Sequence, residues 1–224
     1  MLEKLTLKEQ NAISQLAKTV GTVIMVIVYG SRLHKLKTND IDVIFVCESI
    51  TCLAKINTVN NEILATSGIN IHPFIIPLHT LMYKLSLGDP QTLTFLKYGF
   101  ILKNLLFTKT FLSDYISKLT TKSEIYELLL QKLDDCLLNI KKCFNYRDAN
   151  FILISICQLI CRDNGFIPRF PNGGLFEQAA SLCPKLSFLI LETASDYKIN
   201  KRSSENTIKL MEKLIQNYKN LKGL

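Results

Sequence analysis

Apolar and polar positions fall into two regimes along the chain. Up to about residue 108, short β-branched runs alternate with segments of helical period; beyond it only the helical period remains. Thr6 followed by Glu9 matches the S/T-x-x-E capping box, and Leu7, Ile13, Leu16 and Ala17 recur at helical spacing behind it, predicting a first helix to about Lys18. Residues 22–28 form a nearly unbroken β-branched run stopped by Gly30, the pattern of a strand buried on both faces. A second strand is expected over residues 40–46. The polar stretch between the two is too short for a crossover helix, so their pairing should be antiparallel or mixed. Residues 49–66 read as helix, 69–76 as strand, 78–87 and the segment through Lys97 as short helices around a Gly88-Asp89-Pro90 break, and 99–102 as a last short apolar segment. Long helices then follow at 124–144, 149–163, 185–195 and 204–221, interrupted by one turn-rich loop over residues 165–174. The expected class is α+β: a mixed sheet with flanking helices over residues 1–108, followed by an all-α bundle over residues 109–224.

Charge adds a bias toward anionic partners, but no tail. The chain carries +8, with 11 basic and 7 acidic side chains in residues 1–110 and 16 and 12 in residues 111–224, so each half is +4. The seven cysteines are odd in number and show no C-x-x-C spacing, which points to reduced thiols in a cytoplasmic protein. Cys157 and Cys161 lie four apart on an expected helix and read as core. No membrane span is expected, because the longest candidate, residues 20–28, is about half the roughly 20 residues a spanning helix needs.

The chemistry concentrates in Val28-Tyr29-Gly30-Ser31 and Asp40-Ile41-Asp42-Val43. On a strand, residues i and i+2 share a face, so Asp40 and Asp42 should project together while Ile41 and Val43 enter the core. Two adjacent carboxylates repel unless a cation lies between them. Mg2+ is suited to one or two carboxylates plus phosphate oxygens, and a Gly-Ser turn lets phosphate approach the backbone. Together these features describe a metal-bound nucleoside triphosphate.

This arrangement resembles the polymerase-beta-like nucleotidyltransferase superfamily, whose signature is a strand, Gly-Ser, a short helix and Asp-x-Asp on the next strand. The similarity is to its minimal prokaryotic members. It rests on Gly30-Ser31-Arg32-Leu33-His34, on Asn39-Asp40-Ile41-Asp42-Val43 and on the ending Tyr98-Gly99-Phe100-Ile101-Leu102, and it covers roughly residues 20–105. The resemblance implies transfer of a nucleoside monophosphate from an NTP such as ATP to an acceptor. Gly30 and Ser31 would hold the phosphates, with Arg32, Lys35 or Lys37 adding positive charge. Asp40 and Asp42 would be the catalytic metal ligands for Mg2+ or Mn2+.

Three departures accompany it. The third strand offers Asn70 and His72 where the family places a third acid, the segment from Ser31 to Asp40 is short and lacks a second glycine, and Glu62 and Asp89 stand where exposed helix or turn is expected. A base could come from Glu124, Glu127, Asp134 or Asp135, whose plain reading is a solvated helix face. The helical half resembles the bundles of kanamycin-nucleotidyltransferase-like and HEPN proteins. A HEPN-type ribonuclease is excluded by the lack of any histidine after His79, and the net positive charge disfavours a polycationic acceptor. The acceptor classes left open are RNA, received by Lys141, Lys142 and Arg147 or by Lys198, Lys201 and Arg202, a protein, or a small molecule. The alternative is a catalytically degenerate relative that binds a nucleotide, RNA or a protein without turnover, for example in a toxin-antitoxin pair.

Overall fold

The computed structural model describes residues 5–34, 39–50, 53–106, 109–171, 174–199 and 204–223. The chain divides into two compact units, Met1–Ser86 with Thr92–Leu119, and Leu87–Gln91 with Thr120–Leu224. The end of the strand-rich composition near residue 108 therefore marks the last strand rather than the last residue of the first unit. That unit also takes in a helix at Lys109–Lys118 (α5), on which Leu112 and Ile116 are buried. Leu87–Gln91 joins the second unit because its turn is stitched there: Lys122 N–H donates to the Leu87 carbonyl at 3.0 Å and Thr121 Oγ1 to the Gly88 carbonyl at 2.9 Å.

In the first unit, α1 (Leu7–Val20) opens on the capping box read from the sequence. The Glu9 N–H donates to Thr6 Oγ1, and the Thr6 N–H donates back to Glu9 Oε2 at 2.7 Å. β1 (Gly21–Tyr29) follows, with Val23 to Val28 all buried, as its β-branched run demands. Its neighbour β2 (Ile41–Ile50) is antiparallel to it. β2 runs several residues past its expected end, because Ile50 pairs with Gly21 and the Ser49 hydroxyl donates to Thr22 Oγ1 at 3.2 Å. The helix after it, α2 (Leu53–Ser67), accordingly starts later than the apolar period suggests. α2 crosses over to β3 (Ile71–Pro77), which lies parallel to β2, and α3 (Leu78–Ser86), α4 (Pro90–Tyr98) and β4 (Phe100–Asn104) complete the run. The strand order is β3-β2-β1-β4, a mixed sheet with β3 on one edge.

Alternation along the strands divides the two faces. Val26 and Val28 of β1, Ile41, Val43 and Phe45 of β2 and Ile71 of β3 pack under α1 and α2. Tyr29, Asp42 and His72 therefore belong to the opposite face, the one on which α3 packs against β2 and β3. The charged end of β2 is thus held by burial of its odd-numbered neighbours, and a slip of one residue would drive Asp42 into the core.

The second unit is all helix: α6 (Ser123–Lys142), α7 (Tyr146–Asp163), α8 (Leu175–Leu182), α9 (Pro184–Ile199) and α10 (Ser204–Lys222). α7 is its centre, buried along Ile152, Leu153, Ile156 and Leu159, with Cys157 and Cys161 sealed in the same core. Burial pushes Cys161 up to about 12 and Cys157 well above its ordinary value, so both thiols stay protonated and pack as small hydrophobes. Glu124, Glu127, Asp134 and Asp135 face outward on α6, with Asp134 paired to Lys219 at 2.7 Å. The solvated reading of that acidic run is the one the structure shows. Among the described residues, no helix is long and apolar enough to cross a membrane.

Candidate functional site

β1 ends at Tyr29, and the chain turns sharply at Gly30 into a single 3₁₀ turn, Gly30–Leu33. Gly30 has φ +77°, the left-handed region that side chains with a Cβ rarely occupy. A Cβ there would also lie 2.3 Å from Asp42 Oδ2, so the carboxylate rests directly on the bare backbone of the turn. Sequence reasoning assigns that close approach to a phosphate; in the structure Asp42 makes it.

Asp42 is placed from both sides by the sheet. The antiparallel register sets it opposite Tyr29, and the parallel register sets it beside His72. Asp40 stands just before β2, where the Ile41 N–H donates to the Asn70 carbonyl at 2.9 Å and draws the start of β3 alongside. The result is a three-residue group: His72 Nδ1 lies 3.2 Å from Asp40 Oδ2 and 3.8 Å from Asp42 Oδ1. One donor atom from each of Asp40, Asp42 and His72 falls within 4.8 Å of the others, the makings of a metal site. Asp40 and Asp42 thus share a face, and both are about 30% exposed while the imidazole is 58% exposed.

The electrostatics follow from this crowding. Asp42 is raised above the ordinary carboxylate value, first by burial and then by the charge of Asp40, with His72 pulling the other way. Tyr29 is pushed up to about 12 by burial and by the Asp42 charge, and its ring packs on Phe95 of α4 at 4.7 Å between centroids. Two like charges held together at a half-open edge are relieved by a cation. Cis ligands on a divalent ion stand about 3 Å apart, so the closest pair already has that spacing and the third needs a small rotation.

The remaining sequence-predicted residues separate. Ser31 is the next residue of the turn and is half-buried. Asn70 contributes its backbone carbonyl to Ile41 and precedes β3 rather than lying in it. Lys35 and Lys37 lie outside the described residues. Arg32 is buried, and its guanidinium forks onto Glu9 of α1, Nε to Oε1 at 2.9 Å and Nη2 to Oε2 at 2.8 Å. Where the sequence suggests charge over the phosphates, the structure has a brace between the Gly-Ser turn and the start of α1. Burial acts to raise Glu9, but the hydrogen bonds from Arg32 and Thr6 outweigh it and hold its carboxyl below the usual range. Neither this pairing nor the place of Tyr29 stands out in the sequence: Glu9 and Arg32 are 23 residues apart, and Tyr29 becomes a site neighbour only once the register is known.

No family model matches the sequence, and no curated protein does. Among solved structures the chain is similar to a nucleotidyltransferase-like protein from Exiguobacterium sibiricum, at 12% sequence identity over 97% of this chain and 76% of that one, with a TM-score of 0.40. The reading of the site rests on its own residues.

Proposed function

We propose that the chain is a nucleotidyltransferase that moves a nucleoside monophosphate from an NTP to an acceptor at the Gly30–Ser31 turn and the Asp40–Asp42–His72 group. The observation that supports this reading is the meeting of a left-handed Gly-Ser turn with paired carboxylates on the adjoining antiparallel strand. In this reading the backbone N–H groups of the turn would meet phosphate oxygens beside the ligands for a divalent ion. Asp40, Asp42 and His72 would hold the ion, which when bound neutralises phosphate charge and leaves the α-phosphorus open to attack. Gly30 and Ser31 would orient the triphosphate, and Glu9 with Arg32 would keep their turn from shifting. Lys35 and Lys37 are proposed as phosphate-facing charges. A bond forms from the acceptor oxygen to the α-phosphorus, the bond from that phosphorus to the bridging oxygen breaks, pyrophosphate leaves, and the hydroxyl proton passes to solvent.

The test is incubation of the chain with labelled ATP, GTP, CTP and UTP, Mg2+ or Mn2+, and cell lysate. A labelled macromolecule or metabolite is expected, and the Asp40→Ala, Asp42→Ala double variant should lose it. His72 in the place of a third acid favours one other reading, a site that binds nucleotide without turnover. Calorimetric binding of a nucleotide with no label transferred would establish that reading in place of the first.

A further inference from the structure

The third member of the metal group is an imidazole, and that changes which ion the group suits. Mg2+ prefers an all-oxygen octahedral shell and gives up water reluctantly, whereas imidazole nitrogen suits first-row transition ions. His72 is not near the carboxylates by accident of a mobile side chain. The parallel register fixes it beside Asp42, and its Nδ1 lies 3.2 Å from Asp40 Oδ2 and 3.8 Å from Asp42 Oδ1. The set also offers two carboxylate oxygens beside the nitrogen, all within 4.8 Å of one another.

We infer that Asp40, Asp42 and His72 form a single-ion site that selects a transition-metal dication such as Mn2+ over Mg2+, with His72 Nδ1 as the selecting ligand. This deepens the proposed nucleotidyl transfer by naming its ion, yet it is tested without nucleotide. Mn2+ combines both preferences of the set, since it accepts carboxylate and phosphate oxygens as Mg2+ does and also takes a nitrogen ligand.

The chelator-stripped chain is titrated with MnCl2 and with MgCl2, bound Mn2+ being read from loss of the free-ion paramagnetic resonance signal and Mg2+ from calorimetry. About one Mn2+ per chain is expected, bound at least tenfold more tightly than Mg2+. His72→Ala should weaken Mn2+ about tenfold or more and leave Mg2+ within about threefold. His72→Asp should strengthen Mg2+ and narrow the gap between the two ions. Because His72 is more than half exposed, both variants are expected to keep the wild-type circular dichroism spectrum, with the metal-free His72→Asp chain melting a few degrees lower through added repulsion from Asp40 and Asp42. Equal affinities for the two ions, no binding of either, or a Mn2+ to Mg2+ ratio that His72→Ala does not move would overturn the inference. A chain that selects Mn2+ through His72 yet labels no acceptor defeats the nucleotidyl-transfer reading and leaves this one standing. Labelling that runs equally with both ions and ignores His72→Ala does the reverse.

Discussion

Asp42 in the sheet unit and Asp163 in the helical unit are both partly buried carboxylates, but their surroundings differ in kind. Asp163, at the end of α7, accepts hydrogen bonds from the hydroxyls of Tyr126 on α6 and Tyr218 on α10, and pairs with Lys222 at 2.7 Å. Burial, with the Asp163 charge beside them, raises both tyrosines and keeps them as donors. Asp42 instead faces a second carboxylate, the ring of a tyrosine and a half-exposed imidazole. A carboxylate that takes three donors from two neighbouring helices ties a fold together, whereas one held beside its own kind, at a cost in repulsion, is arranged for something that arrives later.

That contrast can be broken in order of expected effect. Asp42→Asn should cut nucleotidyl transfer by about a thousandfold or more, the scale at which groups stabilising transferring phosphoryl charge act, with melting unharmed; turnover within about tenfold of the parent would place the chemistry elsewhere. Asp163→Asn should do the opposite, costing about 2 kcal/mol and about 4–8 °C of melting temperature while leaving Mn2+ affinity unchanged. Glu9→Gln, read by the same melts, should cost about 1–2 kcal/mol, because it leaves the buried Arg32 with half of its fork. The smallest effect has the most informative sign: Asp42→Asn should raise the melting temperature of the metal-free chain by about 1–3 °C through relief of repulsion from Asp40.

Acid titration of stability sharpens the comparison further, because Glu9 and Asp42 shift in opposite directions. The folded Glu9 binds its proton less tightly than the unfolded chain does, so its contribution is fully present above about 4.5 and is lost as pH falls through its lower folded value. The folded Asp42 binds its proton more tightly, so stability is greatest when it is protonated and declines as pH rises from about 3.8 through its raised value. Chemical denaturation against pH should therefore lose its acid-side slope in Glu9→Gln and its higher-pH decline in Asp42→Asn. Unchanged profiles in both would disprove the assignment of these charges.

How much of this was legible beforehand depends on the range over which each signal acts. The first three strands of the sheet, the capping box and the Gly-Ser and Asp-x-Asp segments are local patterns, and each appears in the structure, with β2 longer than its apolar run and β4 formed by a segment read only as apolar. His72 was visible as a candidate because strand parity carries it to a known face. α5 and α8 were missed, and α8, with eight residues, is entered from Gly174 at φ +93° inside a segment dense in turn formers. The Glu9–Arg32 brace has no local signature at all. A basic residue beside a phosphate-type turn reads as a phosphate ligand until the fold brings an acid to it.

One feature of β3 bears on the company the chain keeps. The Asn70 carbonyl points to β2, so the odd-numbered positions of β3 direct their backbone groups away from the sheet, and two of these are Pro73 and Pro77, which have no N–H to offer. A third outward group, the Ile71 carbonyl, is already taken by the Asn60 side-chain amide at 2.8 Å. The strand that carries His72 is thus a poor template for a further strand. The Asp40–Asp42–His72 group can stay open beside this edge without inviting edge-to-edge aggregation, and on the proposed reading a macromolecular acceptor would approach it by side chains or phosphates rather than by adding a strand to β3.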